Sequence, residues 1–481
     1  MNPATKKISL PRITAGIIVG FIFLVGFLPA SIWWSWNQEQ RVLRAITNAG
    51  GTYHHKSSIP DRHPSTVSKN PEGTDRYFER IVSLEIVDLP ADANCFKRLR
   101  TLNHLAQLRC WNSHINDKDL KALSSFPKLH TFHLFENKVE GQGLEHLPDP
   151  TTLRHLTLSR NLVNDDGLQR IAGLKALDTL RLDRNNFTDR GVAFLANGPF
   201  PSQLNLAANG LTDLSITSLS SHTNLIELSV YSNRITDLSL PIIATFKKLT
   251  FLDLHSNNIN GNGMHHLACN TNLGFLGLSG HNLEGADLEP LTRLKKLHTL
   301  HLRDTGLSNT GLQTLRRSES LQVLSVAGND IDETGLNHLA AIPRLRALNL
   351  ARTAISNERL AAFSGNTNLS HIALTDTLID DHAIENLIAL PSLSRIEIGG
   401  THFSTEGLAR LIQKTKLSGV WIAGFDISAE ELEKISPLIP KNRLIIIYTA
   451  DEQFSDAEIA RIERAGTFTI WPASMVGSIW N

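Results

Sequence analysis

Apolar residues return along this chain every 24 positions, starting at Ile81. The register passes through Leu105, Leu129, Leu153, Leu177, Pro201, Leu225, Leu249, Leu273 and Leu297. It continues through Leu321, Leu345, Leu369, Leu393 and Leu417, reaches a degenerate copy at Lys441 and lands last on Ala465. Positions 1, 4 and 6 of each unit are apolar, as in Leu153, Leu156 and Leu158. Alternation at positions 4 and 6 predicts a short strand with one buried face. Position 9 is Asn137, Asn161, Asn185, Asn209, Asn233 and Asn257 in successive units, and again Asn329. A carboxamide donates and accepts at once, so stacked asparagines can pair the backbone groups of neighbouring turns. Threonine takes the slot at Thr305, Thr353, Thr377, Thr401 and Thr449, and His281 and Phe425 are expected to break the ladder. Position 13 is acidic at Asp117, Asp165, Asp189, Asp213 and Asp237, where it is expected to cap a helix. Apolar residues at positions 16, 19 and often 22 then give one buried stripe of that short helix. Strand, turn and helix at a fixed period predict an α/β solenoid: a parallel sheet lines the concave face and short helices the convex one.

The ends depart from the beat. Leu89 stands in the first Asn slot, while Leu444 and Ile446, then Phe468 and Ile470, are expected to carry the strand positions onward. Asp456–Arg464 is predicted as a last helix, and such terminal units are expected to be atypical caps. Upstream, residues 13–36 carry no charge and finish in Trp33, Trp34 and Trp36. As a helix, about 24 residues reach about 36 Å, enough for a hydrocarbon core of about 30 Å. Lys6, Lys7 and Arg12 precede the run and favour a cytoplasmic N-terminus. The predicted organisation is a cytoplasmic tail at 1–12, a transmembrane signal anchor at 13–36, a juxtamembrane helix and polar linker at 37–77, and the repeat domain with its caps at 78–481. A removed signal peptide is the competing reading of 13–36. The linker's helix is predicted over Gln38–Ala49, stopped by Gly50-Gly51. Ser57–Thr74 holds Pro60, Pro64 and Pro71 and reads as a spacer or as part of an N-terminal cap.

Charge narrows the partners. With 47 basic and 47 acidic residues, the chain lacks the basic excess expected of a nucleic-acid binder. Three cysteines suggest no disulfide framework, and Cys110, at strand position 6, reads as a core residue. The glycine pairs Gly141/Gly143 and Gly261/Gly263 look like phosphate loops, but the second of each falls on position 15, which is also glycine at Gly167, Gly191, Gly311, Gly335 and Gly407. The repeat turn accounts for them. His265-His266 has no evident third metal ligand, and no nucleophile–base set emerges. The expectation is a non-enzyme without cofactor or metal.

The remaining chemistry lies on the strand face that points away from the core, at positions 3, 5, 7 and 8. Arg109, Trp111, His133, Phe135, Arg160, Arg181 and Asp183 fall on its earlier units, followed by Tyr231, Asp253, His255, His301 and Arg303. Exposed aromatics with arginines have the composition of binding hot spots. Later units place Ala327, Ala351, Thr375, Gly399 and Ala423 at position 7 and Gly400 and Gly424 at position 8, so the partner face is expected to be confined to the earlier units.

The string Leu153–Ile171, and again Leu321–Leu339, resembles the 24-residue repeats of bacterial leucine-rich-repeat proteins, similar in style to ribonuclease-inhibitor-like and GALA-type repeats. An apolar anchor followed by Arg41–Gly51 and then repeats is similar to a membrane-tethered bacterial group. The resemblance runs from Ile81 to about Ile470 and implies protein–protein interaction. The F-box that GALA effectors carry before their repeats is not visible, which puts an effector role in doubt. The expected function is a membrane-anchored module, its repeat domain outside the cytoplasm, that binds a protein or peptide on its concave face. An envelope scaffold or adhesin, and a regulator that caps an enzyme, are the alternatives.

Overall fold

In a computed structural model of the protein, the described residues are 37–57, 81–89, 95–147, 151–425, 427–439, 445–450, 453–464 and 467–472. The expected anchor at 13–36 and most of Ser57–Thr74 lie outside them. Among the described residues no helix is long and apolar enough to cross a membrane. The chain divides into two compact units. The first runs up to Asn186 and takes in Asn197–Pro199; the second holds Phe187–Ala196 and the chain from Phe200.

In the first unit a helix at 37–48 buries Val42, Leu43 and Ile46. Strand β1 (Thr52–Ser57) then pairs antiparallel with β2 (Ile81–Val87), Thr52 opposite Val87 and His55 opposite Leu84. Gly51 permits this return: a Cβ there would sit 3.1 Å from Leu89 and 3.2 Å from Ile46. The outer edge of β2, which would otherwise be an unpaired template, is covered. Parallel strands follow at β3 (Gln107–Trp111), β4 (Thr131–Phe135), β5 (His155–Thr157) and β6 (Thr179–Arg181). Leu84, Leu108, Phe132, Leu156 and Leu180 align in register, all fully buried. Each such side chain contributes on the order of 2 kcal/mol of transfer free energy.

The second unit repeats the plan in β7 (Gln203–Asn205), β8 (Glu227–Ser229), β9 (Phe251–Asp253), β10 (Phe275–Gly277), β11 (Thr299–His301), β12 (Val323–Ser325), β13 (Ala347–Asn349), β14 (His371–Ala373), β15 (Arg395–Glu397), β16 (Gly419–Trp421), β17 (Ile445–Thr449) and β18 (Phe468–Pro472). From β7 to β16 every strand meets the next in step with the sequence period, from Gln203 opposite Glu227 to Arg395 opposite Gly419. Then the beat slips. Gly419 pairs with Ile446 where the period calls for Arg443, and Ile445 pairs with Phe468 where it calls for Thr469. An odd offset reverses which side chains face the core. Ile445 and Ile447 are therefore buried, not Ile446 as the unbroken beat requires, and Thr449 sits in a strand rather than in the Asn slot. Leu444 lies outside the described residues.

The Asn turn works as its chemistry demands. Asn137 donates to the carbonyls of Cys110 and Phe135, and its Oδ1 accepts from the amides of Ser113 and Ile115, at 3.0–3.1 Å. One side chain thus ties its own turn to the preceding unit. Asn161, Asn185, Asn233, Asn257 and Asn329 repeat this pattern, and Asn209 donates to Leu206 and Ala207. His281 does not break the ladder. Its Nε2 donates to the Leu254 carbonyl at 2.8 Å, the partner an asparagine takes there, and its Nδ1 lies 3.1 Å from the Asn257 carbonyl and 3.3 Å from the Ile259 amide. Thr353, Thr377 and Thr401 bond only the carbonyl three residues earlier, within their own unit.

Position 13 departs from expectation. The N-cap is one residue earlier: Asn164, Thr188, Thr212, Thr236, Asp332 and Ser404 accept from the first helical amides. The aspartate reaches instead to the next unit's cap. Asp213 accepts from the Thr236 amide at 2.9 Å and hydroxyl at 2.7 Å, and from Ser239. Asp117, Asp189, Asp237 and Asp381 brace their following units alike. At position 15 the glycine fits because that next turn comes close: a Cβ on Gly143 would strike the Asp117 backbone, and one on Gly407 the Asp381 carboxylate.

Candidate functional site

Side chains at positions 5 and 7 leave the sheet on the face opposite the core, and position 8 turns the chain. That turn is left-handed in unit after unit, from Asp88 (φ 56°) through Glu136 (54°), Arg160 (53°) and Ala208 (55°) to Gly424 (80°). Gly400 and Gly424 are accordingly turn glycines, free of the strain a Cβ meets there.

In the first unit position 5 lays Glu85, Arg109, His133, Thr157 and Arg181 side by side on β2 to β6. Beside them Trp111 and Phe135 meet with ring centroids 4.9 Å apart and planes tilted by 49°. The Arg160 guanidinium lies 5.3 Å from the Phe135 centroid, a cation–π contact, and is ion-paired with Glu136. The indole Nε1 of Trp111 is buried without a hydrogen-bond partner. Burial, then the charges of Arg109 and Arg181 and the neighbouring His155, push His133 down to about 4. Asp183 is held by the Ser159 hydroxyl at 2.5 Å. The residues singled out from this part of the sequence therefore share one surface.

The second unit gathers another group. Phe251 and Phe275 stack at 4.3 Å, and His301 meets Phe275 edge-on at 5.1 Å. His255 pairs with Asp253, whose other oxygen accepts from Ser229 at 3.1 Å. Gly277 makes that possible, since a Cβ there would collide with the His255 ring and the Asp253 carboxylate. His301 is buried with Nε2 unpartnered, and burial, then nearby His255, lowers it to about 4 against the opposing pull of Asp253. Tyr231 lies one repeat before His255 at the same position, and Arg303 lies two residues past His301 in its repeat; Arg303 is paired with Asp304, which also takes Arg352.

A third surface corrects the expectation that the later units are plain. His371 bonds Glu397 at 2.9 Å and stacks over Trp421 at 5.5 Å. Trp421 stacks on Tyr448 at 3.6 Å, and Tyr448 meets the exposed Trp471 edge-on at 6.4 Å. Small Gly419 leaves room for both rings: a Cβ there would sit 3.3 Å from Tyr448 and 3.5 Å from Trp421. Trp421 at position 5 was a visible signal. Tyr448 was hidden, because the unbroken beat puts it at a turn instead of opposite Trp421.

Cys110 is a core residue, its thiol held protonated by burial and by Glu85. Among the described residues no cluster of histidine, cysteine, aspartate or glutamate is placed to hold a metal ion.

A family model described as Leucine Rich repeat matches residues 149–172 and 247–268. With the strand, turn and helix units above, that decides the architecture. The fold is a leucine-rich-repeat solenoid. Among solved structures, an internalin of Listeria monocytogenes is similar, at 22% identity and a TM-score of 0.50, over 66% of this chain and 86% of that one. A leucine-rich-repeat protein of Leptospira interrogans aligns at 20% identity and a TM-score of 0.47, over 73% and 91% of the two chains. The functional domain of InlJ from Listeria monocytogenes gives 17% and 0.42, over 67% and 74%. No curated protein sequence matches the chain. Repeat domains of this kind are interaction modules.

Proposed function

We propose that this leucine-rich-repeat protein is held in a membrane by residues 13–36 and binds a protein or peptide on the open, concave face of its sheet. The observation that carries the reading is the first unit's platform, where Trp111 packs on Phe135 and Arg160 covers the Phe135 ring. A preformed strand surface loses little conformational entropy on docking, so its few aromatic and arginine anchors supply most of the affinity. Arg109, His133, Arg181 and Asp183 border the platform; Tyr231, Asp253, His255, His301 and Arg303 form its counterpart in the second unit. The charge balance of the chain argues against nucleic acid as the ligand.

The test is capture by crosslinking in native membranes with wild type and the Trp111→Ala/Phe135→Ala double variant. Loss of a captured partner at an unchanged melting temperature supports the site, and undiminished capture refutes it. Tags at both ends read the anchor in the same preparation: a mature protein that has lost its N-terminal tag has no signal anchor. The scaffold reading draws on Leu214 and Leu238, 66% and 76% exposed at equivalent points of adjacent helices. It predicts self-association that survives the same double substitution.

A further inference from the structure

Resting on that reading, we infer that the first unit's surface takes an acidic, extended peptide segment of a protein partner, with carboxylates on Arg109 and Arg181 and an apolar side chain on Trp111 and Phe135. Three observations point there. Arg154 and Arg160 are ion-paired, but the guanidiniums of Arg109 and Arg181 have no hydrogen bond or ion pair with any described residue. Arg109 is nonetheless half-buried in the strand row, where an unpaired charge is costly unless a ligand completes it. Second, the carboxylates nearby do not serve. Asp183 is taken by Ser159, Glu136 by Arg160, and Glu85, opposite Arg109 on β2, makes no ion pair with it. Third, both arginines stand in one strand row with His133 between them, and after burial their charges lower its pKa.

The geometry sets the spacing. Arg109 and Arg181 stand three strands apart with short Thr157 between His133 and Arg181, which opens a notch in the row. Three strand spacings are about 14 Å, the reach of roughly four extended residues. The aromatic pair lies two residues further along β3 and β4, beside Arg109 and His133. The best-fitting segment therefore has two acidic residues about four positions apart with an apolar residue between them. A guanidinium binds a carboxylate bidentately, which makes arginine the suited residue for such a row.

The experiment is fluorescence anisotropy of the full chain with a fluorescein-labelled Glu-Ser-Phe-Ser-Glu peptide, its Gln-Ser-Phe-Ser-Gln and Lys-Ser-Phe-Ser-Lys counterparts, and a single-stranded DNA oligomer. The acidic peptide should bind about tenfold tighter than the Gln form, and added salt or Arg109→Gln/Arg181→Gln should remove that advantage. Failure of the acidic peptide to bind at low salt, equal binding of the three peptides, or indifference to the arginine substitutions overturns the inference. Tighter binding of the DNA oligomer overturns it in favour of a polyanion. The broader reading is separable: if Trp111→Ala/Phe135→Ala weakens the Gln peptide and the arginine substitutions weaken nothing, the site stands and its acidic preference falls.

Discussion

At the scale of single residues, histidine is the most revealing side chain. His281 occupies an asparagine slot, where its Nε2 and Nδ1 lie 2.8 and 3.1 Å from the carbonyls of Leu254 and Asn257. Burial lowers its pKa against the opposing pull of those two carbonyls, and His133 and His301 are lowered to about 4. A histidine lowered on folding opposes the proton that the unfolded chain accepts below about 6.5. Stability is therefore full above that value and falls as pH drops from about 6.5 towards 4. Each histidine that stays neutral adds a slope of about 1.4 kcal/mol per pH unit while the unfolded chain is charged. His301, almost wholly buried, shows the effect most directly. Urea midpoints measured between pH 7 and 4.5 should drop steeply, and His301→Leu should flatten that drop by about one proton. An unchanged slope would show that His301 titrates as freely as in the unfolded chain. Spacing marked His281 as an exception; only the bonds show that it is a substitute.

At the scale of elements, two braces hold each unit to the next: the asparagine bridge on one side and the position-13 aspartate on the other. The recurrence of Asp117, Asp189, Asp213 and Asp237 was plain in the sequence, but its purpose was not. Positions 12 and 13 are neighbours, and both are polar at the start of a helix, so periodicity alone does not say which one caps. The bonds decide it, with Thr212 capping its own helix while Asp213 reaches Thr236 and Ser239 of the next unit. Charge-assisted bonds to a carboxylate are worth more than neutral ones. Asp213→Ala should cost about 2–3 kcal/mol, and Thr212→Ala about 1 kcal/mol. Chemical denaturation of the two variants ranks them. If the threonine change costs more, Asp213 is no brace.

At the scale of the whole molecule, a constant period makes the architecture legible, because every unit reports the same burial. Leu108, Leu156, Leu228 and Leu348 are each wholly buried where the beat puts them. What the beat conceals is anything that changes its parity, and the slip on either side of β17 was enough to hide Tyr448 and the aromatic row it completes. The first two surfaces could be read as rows because their strands keep step, although the contacts within each row needed rotamers that no spacing supplies. A repeat array is held by nearest-neighbour terms, so a change in one bridge should be felt locally. The second unit has a built-in comparison. Asn233 and Asn257 reach back to the preceding unit, while Thr353, Thr377 and Thr401 bond within their own. Hydrogen exchange should therefore be slower across the asparagine units than across the threonine ones. Asn233→Thr leaves the Leu206 carbonyl and the Leu211 amide without their side-chain partner, at a cost of about 2 kcal/mol, and should speed exchange around them. Thr377→Asn should do the reverse, adding about 1 kcal/mol by restoring a bridge to the unit before. Equal protection in both regions, or an Asn233→Thr variant that exchanges like wild type, would mean that apolar packing alone binds these units together.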